Sequence, residues 1–272
     1  MKKKIYLSVP GLVCCAGHNR NELYESCLNG YQGGLVMHEF PDHSGKTPVG
    51  FIGEDPLAYT GGTKIIRILN AALEQLRPAI EKALSKYSPE KIGVCFGSCD
   101  NGSEASLMAH NTLFEKNAFP EDYALRFQSA SFPVEFISRK LGLSGPAFTI
   151  ATACASGASA IMRGADLIRA GYCDAVIAGG ADIVSQTVFS GFHALEAVSD
   201  SLTNPFSKNR KGINLGEGAA FFLLDSAEDS CVELLGSGES ADAYHMTAPG
   251  TDGAGPAKAM RAALADAGID SN

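Results

Sequence analysis

Residues 148–182 constrain the fold more than any other part of the chain, because they place one cysteine between a strand and a helix. The β-forming side chains of residues 148–152 occupy a run short enough for a buried strand. Apolar residues then recur at helical spacing from Ala158 onward, with charged residues on the opposite face. Residues 175–178 have the composition of the next buried strand. The segment therefore predicts a β-turn-α-β unit with Cys154 at its first turn.

Cys154 is the candidate nucleophile of the chain. The first turn of a helix has N–H groups without intrahelical partners and carries partial positive charge. Both properties favour the thiolate, which is the reactive form of cysteine. The neighbours at positions 153 and 155–157 are all small, so a substrate can approach the sulfur closely. A structural cysteine buried in a small-residue turn is the alternative interpretation.

The composition indicates a folded chain and excludes several classes of function. Of the 272 residues, 45% are hydrophobic and 19% are charged, which favours a sizeable core over disorder. No apolar run reaches the ~20 residues that a membrane-spanning helix needs. The net charge is −8 and no long basic run occurs, so we expect no nucleic-acid partner. The glycine clusters lack the spacing of a nucleotide-binding loop.

The eight cysteines are scattered and do not form a metal-binding or disulfide pattern. Cys95 and Cys99, for example, are separated by three residues and not by two. Free thiols in a chain of this length predict a reducing, cytoplasmic location. We expect every cysteine except Cys154 to be a small buried hydrophobic residue.

Strand-like and helix-like segments alternate along the chain. The predicted strands are 5–9, 92–96, 221–224 and 232–235, and the predicted helices are 22–28, 64–84 and 257–267. Pro78 either kinks the second of these helices or starts a new one. Residues 101–135 have an irregular and partly helical pattern. The alternation predicts a layered α/β architecture with a largely parallel sheet.

Several of these segments also match the sequence motifs of a known family, in the same order along the chain. The matching stretches are residues 9–34, KIGVCFGS at 91–98, LGLSGPAFTIATAC at 141–154, ATACASG at 151–157, DAVIAGGAD at 174–182 and NPFSKNRKGINLGEGAAFFLLD at 204–225. Together they closely resemble the β-ketoacyl-acyl-carrier-protein synthases, which are condensing enzymes of the thiolase-like superfamily. The resemblance covers nearly the whole chain.

The resemblance implies a thiolase-like layered αβαβα fold, of which this chain holds mostly the first of two similar halves. Residues 1–235 would form the N-terminal half with the nucleophile, and residues 236–272 the beginning of the C-terminal half. The family's histidine-bearing motifs belong to that second half, and none of the six histidines here lies in a matching motif. The chain is therefore expected to be a fragment or a truncated product, inactive in condensation by itself.

The implied function is that of a 3-oxoacyl-[acyl-carrier-protein] synthase of the elongating type. An acyl group on Cys154 would condense with malonyl-carrier and release CO₂, in fatty-acid or in polyene or polyketide biosynthesis. No metal or organic cofactor is implied, because the phosphopantetheine of the acyl carrier protein brings the substrates. A non-catalytic partner subunit resembling a chain length factor is the main alternative. A thiolase acting on coenzyme A is a more distant one.

The resemblance also assigns roles to other residues. Phe189, Phe192 and Phe206 would line the acyl pocket, with core packing as the alternative for such aromatics. Docking of an acidic carrier protein needs basic residues near the pocket mouth. The candidates are Lys64, Arg67, Lys208, Arg210 and Lys211, for which a solvated charged face is the alternative.

Two residues differ from the family pattern, and the family also implies a dimer interface. Ser207 stands where relatives carry an acidic residue, and Glu196 stands where many carry a basic one. A dedicated carrier protein would explain Glu196. Relatives also dimerise through the strand before the nucleophile, here 148–152. We therefore expect a homodimer, or a heterodimer with a related synthase subunit.

Overall fold

A computed structural model describes residues 3–41, 43–53, 62–100, 102–227, 232–245 and 247–271. The strands are β1 (Tyr6–Leu7), β2 (Gly11–Cys14), β3 (Val36–His38), β4 (Thr47–Gly50), β5 (Ile92–Gly97), β6 (Ala147–Ile150), β7 (Ala175–Asp182), β8 (Leu215–Gly216), β9 (Gly218–Asp225) and β10 (Val232–Glu233). The α-helices are α1 (Arg20–Leu28), α2 (Lys64–Lys86), α3 (Ser103–Lys116), α4 (Phe132–Leu141), α5 (Ser156–Arg169), α6 (Gln186–Ala194) and α7 (Ala254–Ala267). Short 3₁₀ turns occur at Pro89–Lys91, Leu125–Gln128 and Ala153–Ala155.

The main sheet is mixed, so the prediction of a largely parallel sheet is wrong. Its order is β10-β1-β9-β7-β5-β6, and β2 also pairs with β9. Strand β5 is parallel to β6 and β7, as the alternating pattern predicts. Strand β9 is antiparallel to β7 because the connection through α6 returns to the end of β7, where Asp182 faces Gly218. Strands β1 and β2 then pair antiparallel with β9.

Helices cover both faces of this sheet. On one face α2 packs with its apolar side, and its buried residues join those of β5, β7 and β9 in one core. Pro78 lies inside α2, which continues as a single helix. On the other face α5 buries Ala160, Ala165 and Ile168 against Val176 of β7. The result is a three-layer α-β-α arrangement.

The nucleophile unit has the predicted β-turn-α-β form, but β6 is an edge strand with exposed and half-buried residues, so the prediction of a buried strand there is wrong. Strand β6 and strand β7 run parallel to β5 on its two sides, and α5 connects them. Helix α5 begins at Ser156, two residues before the predicted start. Residues 101–135, for which the sequence predicted an irregular and partly helical pattern, contain α3, a 3₁₀ turn and the first residues of α4.

The residues after position 235 contact α5 through charged groups. Gly236 and Gly238 lie against α7 so closely that a Cβ at either would meet backbone atoms of that helix at 2.5 and 2.3 Å. Arg163 of α5 pairs with Glu239. Arg169 Nη1 lies 3.9 Å from an Asp266 carboxylate oxygen. Helix α7 is therefore tied to the sheet through α5.

A second, three-stranded sheet lies beside the main one. Strand β3 is antiparallel to β4, and β4 is parallel to β8. Its core joins Val49 and Leu215 to Phe40 and to Phe189 of α6. This small sheet supports the segment between β7 and β9, where several predicted site residues lie.

Candidate active site

Cys154 lies in the 3₁₀ turn between β6 and α5, and its side chain is exposed as a free thiol. The preceding residue, Ala153, has a left-handed backbone with φ of 52°. Such a conformation costs a non-glycine residue about 1–3 kcal/mol and persists only where surrounding contacts fix it. The turn that carries Cys154, called the nucleophile turn after the predicted role of this residue, is therefore strained, and it presents the thiol directly before the first turn of α5.

The hydroxyl of Ser156 contacts both sides of this strained turn. Ser156 is 2% exposed, and its Oγ donates to the carbonyl oxygen of Ala153 at 2.6 Å. The same Oγ accepts from the backbone N–H of Thr152 at 2.9 Å. The thiol of Cys99 lies 3.7 Å from it. One buried side chain thus bonds to the backbone before and after Cα of Ala153.

Glycines let the end of β5 reach the backbone of α5 directly beneath the nucleophile. A Cβ at Gly97 would lie 2.3 Å from the carbonyl oxygen of Ser156. A Cβ at Gly180 of β7 would lie 2.4 Å from the carbonyl oxygen of Gly97. A side chain at Gly97 would displace the first turn of α5, and a side chain at Gly180 would displace the end of β5.

A cavity of about 420 Å³ opens beside Cys154. Helix α5 contributes Gly157 and Ile161, and the ends of β2, β7 and β9 form the opposite walls. Most of the lining is small or apolar, and Asp182 brings a carboxylate. Within the described residues, no histidine lines this cavity. The space fits a substrate that reaches the thiol, but it does not surround that substrate with acid–base groups.

A hydrogen-bonded loop after β5 holds Cys99 next to the nucleophile turn. Asp182 Oδ1 accepts from Ser98 Oγ at 2.9 Å and from the backbone N–H of Cys99 at 3.0 Å. Asp100, 6% exposed, accepts from Ser103 Oγ at 3.2 Å. Burial raises the pKa of the Asp100 carboxyl above its usual range.

The three predicted pocket phenylalanines do not meet around Cys154. Phe189 is 1% exposed and stacks on Phe40 with ring centroids 3.8 Å apart, inside the core of the small sheet. Phe192 packs against the same core. Phe206 is fully exposed, with φ of 60° in the loop after α6. Among the described residues, therefore, none of the three lines the cavity at Cys154, and their role in an acyl pocket remains a prediction.

Lys64 forms an ion pair with a buried carboxylate, a contact that the predicted role in carrier docking does not include. Its Nζ lies 2.7 Å from Glu217 Oε1 and 5.0 Å from the ring centre of Phe51. The side chain of Glu217 has no exposed area, and it also accepts from the backbone N–H groups of Ile52 and Val184. Lys64 therefore has a structural role at the start of α2.

The other predicted docking residues lie nearer to solvent. Lys208, Arg210 and Lys211 are exposed in the loop before β8. Arg210 donates from Nη1 to the carbonyl oxygen of Gly212 at 2.9 Å. Arg67 lies in α2 and lines, with Lys64, a second cavity of about 530 Å³.

The segment carrying Glu196 is bonded to the segment that follows these basic residues. Ile213 N–H donates to the carbonyl oxygen of Ala197 at 2.8 Å, and Ser199 N–H donates to that of Ile213 at 3.0 Å. Glu196 has a left-handed backbone with φ of 55° and an exposed side chain. An acidic group therefore sits on the segment adjoining the basic loop.

The environments of the other cysteines differ from one another. Burial raises the pKa of Cys95 to about 12 and also raises that of Cys173. Cys27 and Cys99 are exposed, and Cys14 and Cys15 are partly exposed. The expectation that every cysteine but Cys154 is buried is therefore confirmed only for Cys95 and Cys173 among the described residues. Cys27 is exposed because α1 buries none of its residues. Cys231 lies outside the described residues.

Comparison with known proteins agrees with this arrangement. The profile of the family described as "Beta-ketoacyl synthase, N-terminal domain" matches residues 63–230, which include the nucleophile turn and the buried Glu217. This chain belongs to the β-ketoacyl synthase family. The predicted family is thereby confirmed.

Full-length relatives match almost the whole chain. The 3-oxoacyl-[acyl-carrier-protein] synthase 2 of Vibrio cholerae is 30% identical over 294 residues, which cover 98% of this chain and 70% of that protein. The protein of the same name from Staphylococcus aureus (strain COL) is 28% identical over 292 residues, with the same coverage.

Solved structures show the same fold. A ketosynthase (ApeO) in complex with its chain length factor (ApeC) from Xenorhabdus doucetiae superposes with a TM-score of 0.88 at 32% identity, covering 98% of this chain and 69% of the other. A β-ketoacyl synthase from Burkholderia phymatum STM815 gives a TM-score of 0.77 at 25% identity, covering 99% of this chain and 71% of the other. The predicted thiolase-like α/β fold is thereby confirmed.

Membrane-spanning helices and clusters of metal ligands are both absent from the described residues. None of the described helices is both long and apolar enough to cross a bilayer. No group of three or more histidine, cysteine, aspartate or glutamate side chains lies close enough to hold a metal ion in this part of the chain.

The sequence predicted Cys154 as the nucleophile but did not single out three buried or hydrogen-bonded residues of the surrounding structure. Ser156 follows it by two positions within the ATACASG motif, and Asp182 closes the DAVIAGGAD motif. Glu217 lies within the LGEGAA stretch that carried part of the resemblance. Asp182 and Glu217 have partners in distant segments, and the Ser156 hydroxyl bonds to the turn just before it.

Proposed function

We propose that this chain is the acyl-accepting part of a 3-oxoacyl-[acyl-carrier-protein] synthase. The observation that carries the proposal is the exposed thiol of Cys154, held in a strained turn at the first turn of α5 and facing a cavity. Membership of the β-ketoacyl synthase family and the names of the curated relatives support it.

The proposed reaction has two covalent steps at one sulfur. The Cys154 thiolate attacks the carbonyl carbon of an acyl-carrier thioester, and the carrier thiol leaves. Malonyl-carrier then loses CO₂, and the resulting enolate attacks the acyl-enzyme thioester. A carbon–carbon bond forms, and the Cys154 thiolate is released. The phosphopantetheine arm of the carrier would bring both substrates, so no other organic cofactor or metal is proposed.

We propose that the 272-residue chain takes up the acyl group but does not complete condensation. An enolate needs positioned donors, and loss of one such donor typically costs ~10²–10³ in rate. No histidine lines the cavity at Cys154 in the described residues. We also propose that residues 1–235 form the N-terminal half of the fold, with the nucleophile, and that residues 236–272 form the beginning of the C-terminal half.

The proposed partners are an acyl carrier protein and a second synthase subunit. Lys208, Arg210 and Lys211 offer exposed positive charge to an acidic carrier. Strand β6 lies at the edge of the main sheet, and Phe148 on it is 50% exposed. An exposed strand edge with an apolar side chain is a template for pairing with another chain. We propose a dimer through this edge and a cytoplasmic location.

A partner subunit resembling a chain length factor is the second candidate function. The ketosynthase from Xenorhabdus doucetiae was solved with such a factor, and the ishigamide ketosynthase/chain length factor gives a TM-score of 0.84 at 26% identity, covering 99% of this chain and 71% of the other. Glu196, in place of a basic residue, also fits a subunit that does not bind the usual carrier. The cysteine at position 154 favours the catalytic assignment.

Acyl transfer distinguishes these functions. The chain is incubated with radiolabelled acyl-carrier protein, and protein-bound label is measured in the unsubstituted chain, in Cys154→Ala and in Cys27→Ala as the matched control. We expect label in the unsubstituted chain and in Cys27→Ala, and loss of label in Cys154→Ala. Equal labelling of all three would contradict the proposed nucleophile, and no labelling of any would favour the partner-subunit function.

Sedimentation tests the proposed dimer. The unsubstituted chain is expected to sediment as a dimer, and Phe148→Glu as a monomer. Tyr172→Glu, at an exposed position after α5, serves as the control and should leave the dimer intact. A monomeric unsubstituted chain would show that the β6 edge is not sufficient for association.

A further inference from the structure

We infer that Ser156 is a positioning residue that holds the nucleophile turn in its strained conformation. The inference rests on the proposed function, because it takes Cys154 as the nucleophile. Nothing in the family assignment gives Ser156 a role. The evidence comes from the contacts of its hydroxyl group.

A serine at the first position of a helix usually faces solvent or caps the backbone ahead of it. The hydroxyl of Ser156 turns back and bonds to the preceding residues. It accepts from the N–H of Thr152 and donates to the carbonyl oxygen of Ala153. The backbone N–H of Ser156 also donates to that carbonyl oxygen. Ser156 therefore bonds to the backbone on both sides of the left-handed Ala153.

The hydroxyl is itself held in place. Ser156 is 2% exposed, and a serine hydroxyl has one proton, which it gives to Ala153. The Cys99 thiol at 3.7 Å can then act as the donor to the remaining lone pair. Asp182 fixes the position of Cys99 through the Cys99 N–H. A chain of contacts thus runs from the end of β7 to the nucleophile turn.

This arrangement explains why a left-handed alanine is tolerated beside the reactive thiol. Without the hydroxyl, the Thr152 N–H and the Ala153 carbonyl each lose a bond in a part-buried site. Ala153 would then relax towards an ordinary backbone conformation, because both hydroxyl contacts are lost and only the Ser156 N–H still bonds to its carbonyl oxygen. Cys154 is the next residue, so the relaxation would move its thiol away from the first turn of α5.

Alkylation of the whole 272-residue chain by iodoacetamide tests the inference. The rate at Cys154 is measured by peptide mass spectrometry relative to the rate at exposed Cys27, which serves as an internal reference. We expect Ser156→Ala to lower this ratio about tenfold and Ser156→Thr, which keeps the hydroxyl, to restore it. Ser159→Ala is the matched control. Ser159 is 5% exposed in the same helix, and its hydroxyl contacts the Thr152 side chain but not the Ala153 backbone.

A second variant keeps the test decisive if Ser156→Ala does not fold. Glycine adopts the left-handed conformation without strain, so Ala153→Gly should restore both folding and the labelling ratio in the Ser156→Ala background. Failure of that double variant to recover either property would overturn the inference. So would a ratio that is the same in Ser156→Ala and Ser159→Ala, while the nucleophile assignment would stand. A Cys154 that reacts no faster than Cys27 in the unsubstituted chain would overturn the nucleophile assignment and the positioning role together.

Discussion

The buried carboxylate of Glu217 is expected to be one of the main determinants of stability. Glu217→Ala removes the acceptor of three donors: the Lys64 ammonium and the N–H groups of Ile52 and Val184. Breaking a buried ion pair costs about 3–5 kcal/mol. Lys64 keeps 28% of its side-chain area exposed and can partly return to water, which favours the lower end of that range. A loss of about 3 kcal/mol is large against a typical stability of ~5–15 kcal/mol.

Urea unfolding followed by circular dichroism measures this loss. Lys64→Met is expected to cost less than Glu217→Ala, because Glu217 keeps its two backbone donors. Lys208→Met, at an exposed position, is the control and should change the free energy of unfolding by less than about 0.5 kcal/mol. If Lys64→Met were as neutral as Lys208→Met, the structural role of Lys64 would be wrong and its role in carrier docking would regain support.

Three further predictions concern the site itself. Burial raises the pKa of the Asp100 carboxyl above its value in the unfolded chain. Stability is therefore lost as the pH rises through the pKa that this carboxyl has in the folded protein, because the buried group becomes charged. Asp100→Asn should raise the free energy of unfolding near pH 7 and leave it unchanged near pH 3, as measured by urea titration at the two pH values. Gly97→Ala should lower the free energy of unfolding by about 1–3 kcal/mol, because the added methyl group overpacks against α5. Gly157→Ala should not destabilise the protein, since a Cβ there meets nothing within 4 Å. Thermal unfolding of the two variants measures the difference. Cys95, buried and with a pKa of about 12, should resist iodoacetamide near pH 8 while Cys154 is labelled, and comparable labelling of both would contradict the structure.

Local patterns were enough to predict the nucleophile unit. Strand β6, the turn and α5 are contiguous, and their periodicities and small residues are read within one short segment. The position of Cys154 in that segment made it a candidate nucleophile, and the family resemblance of the ATACASG motif favoured this role over a buried structural cysteine. Helix α2 was predicted for the same reason, since its apolar face repeats over its whole length.

Features that depend on distant partners could not be predicted in this way. The direction of β9 depends on where the chain re-enters the sheet after α6, and no local pattern encodes this. Lys64 looked like a surface charge because its partner Glu217 is far along the chain. The Ser156 hydroxyl was visible in the sequence, but its backward bonds follow from the left-handed Ala153, which composition does not indicate.

The central position of β9 has a consequence for the order in which the chain can fold during synthesis. Strands β1 and β2 are made first, yet both pair with β9, which is made much later. Roughly 200 residues separate Cys14 from Gly218, and their synthesis takes on the order of 10–40 s at ~5–20 residues per second. During this interval strands β5, β6 and β7 can pair with one another. Strands β1 and β2 still lack β9, the strand with which both pair. The N-terminal strands therefore cannot join the main sheet until β9 emerges.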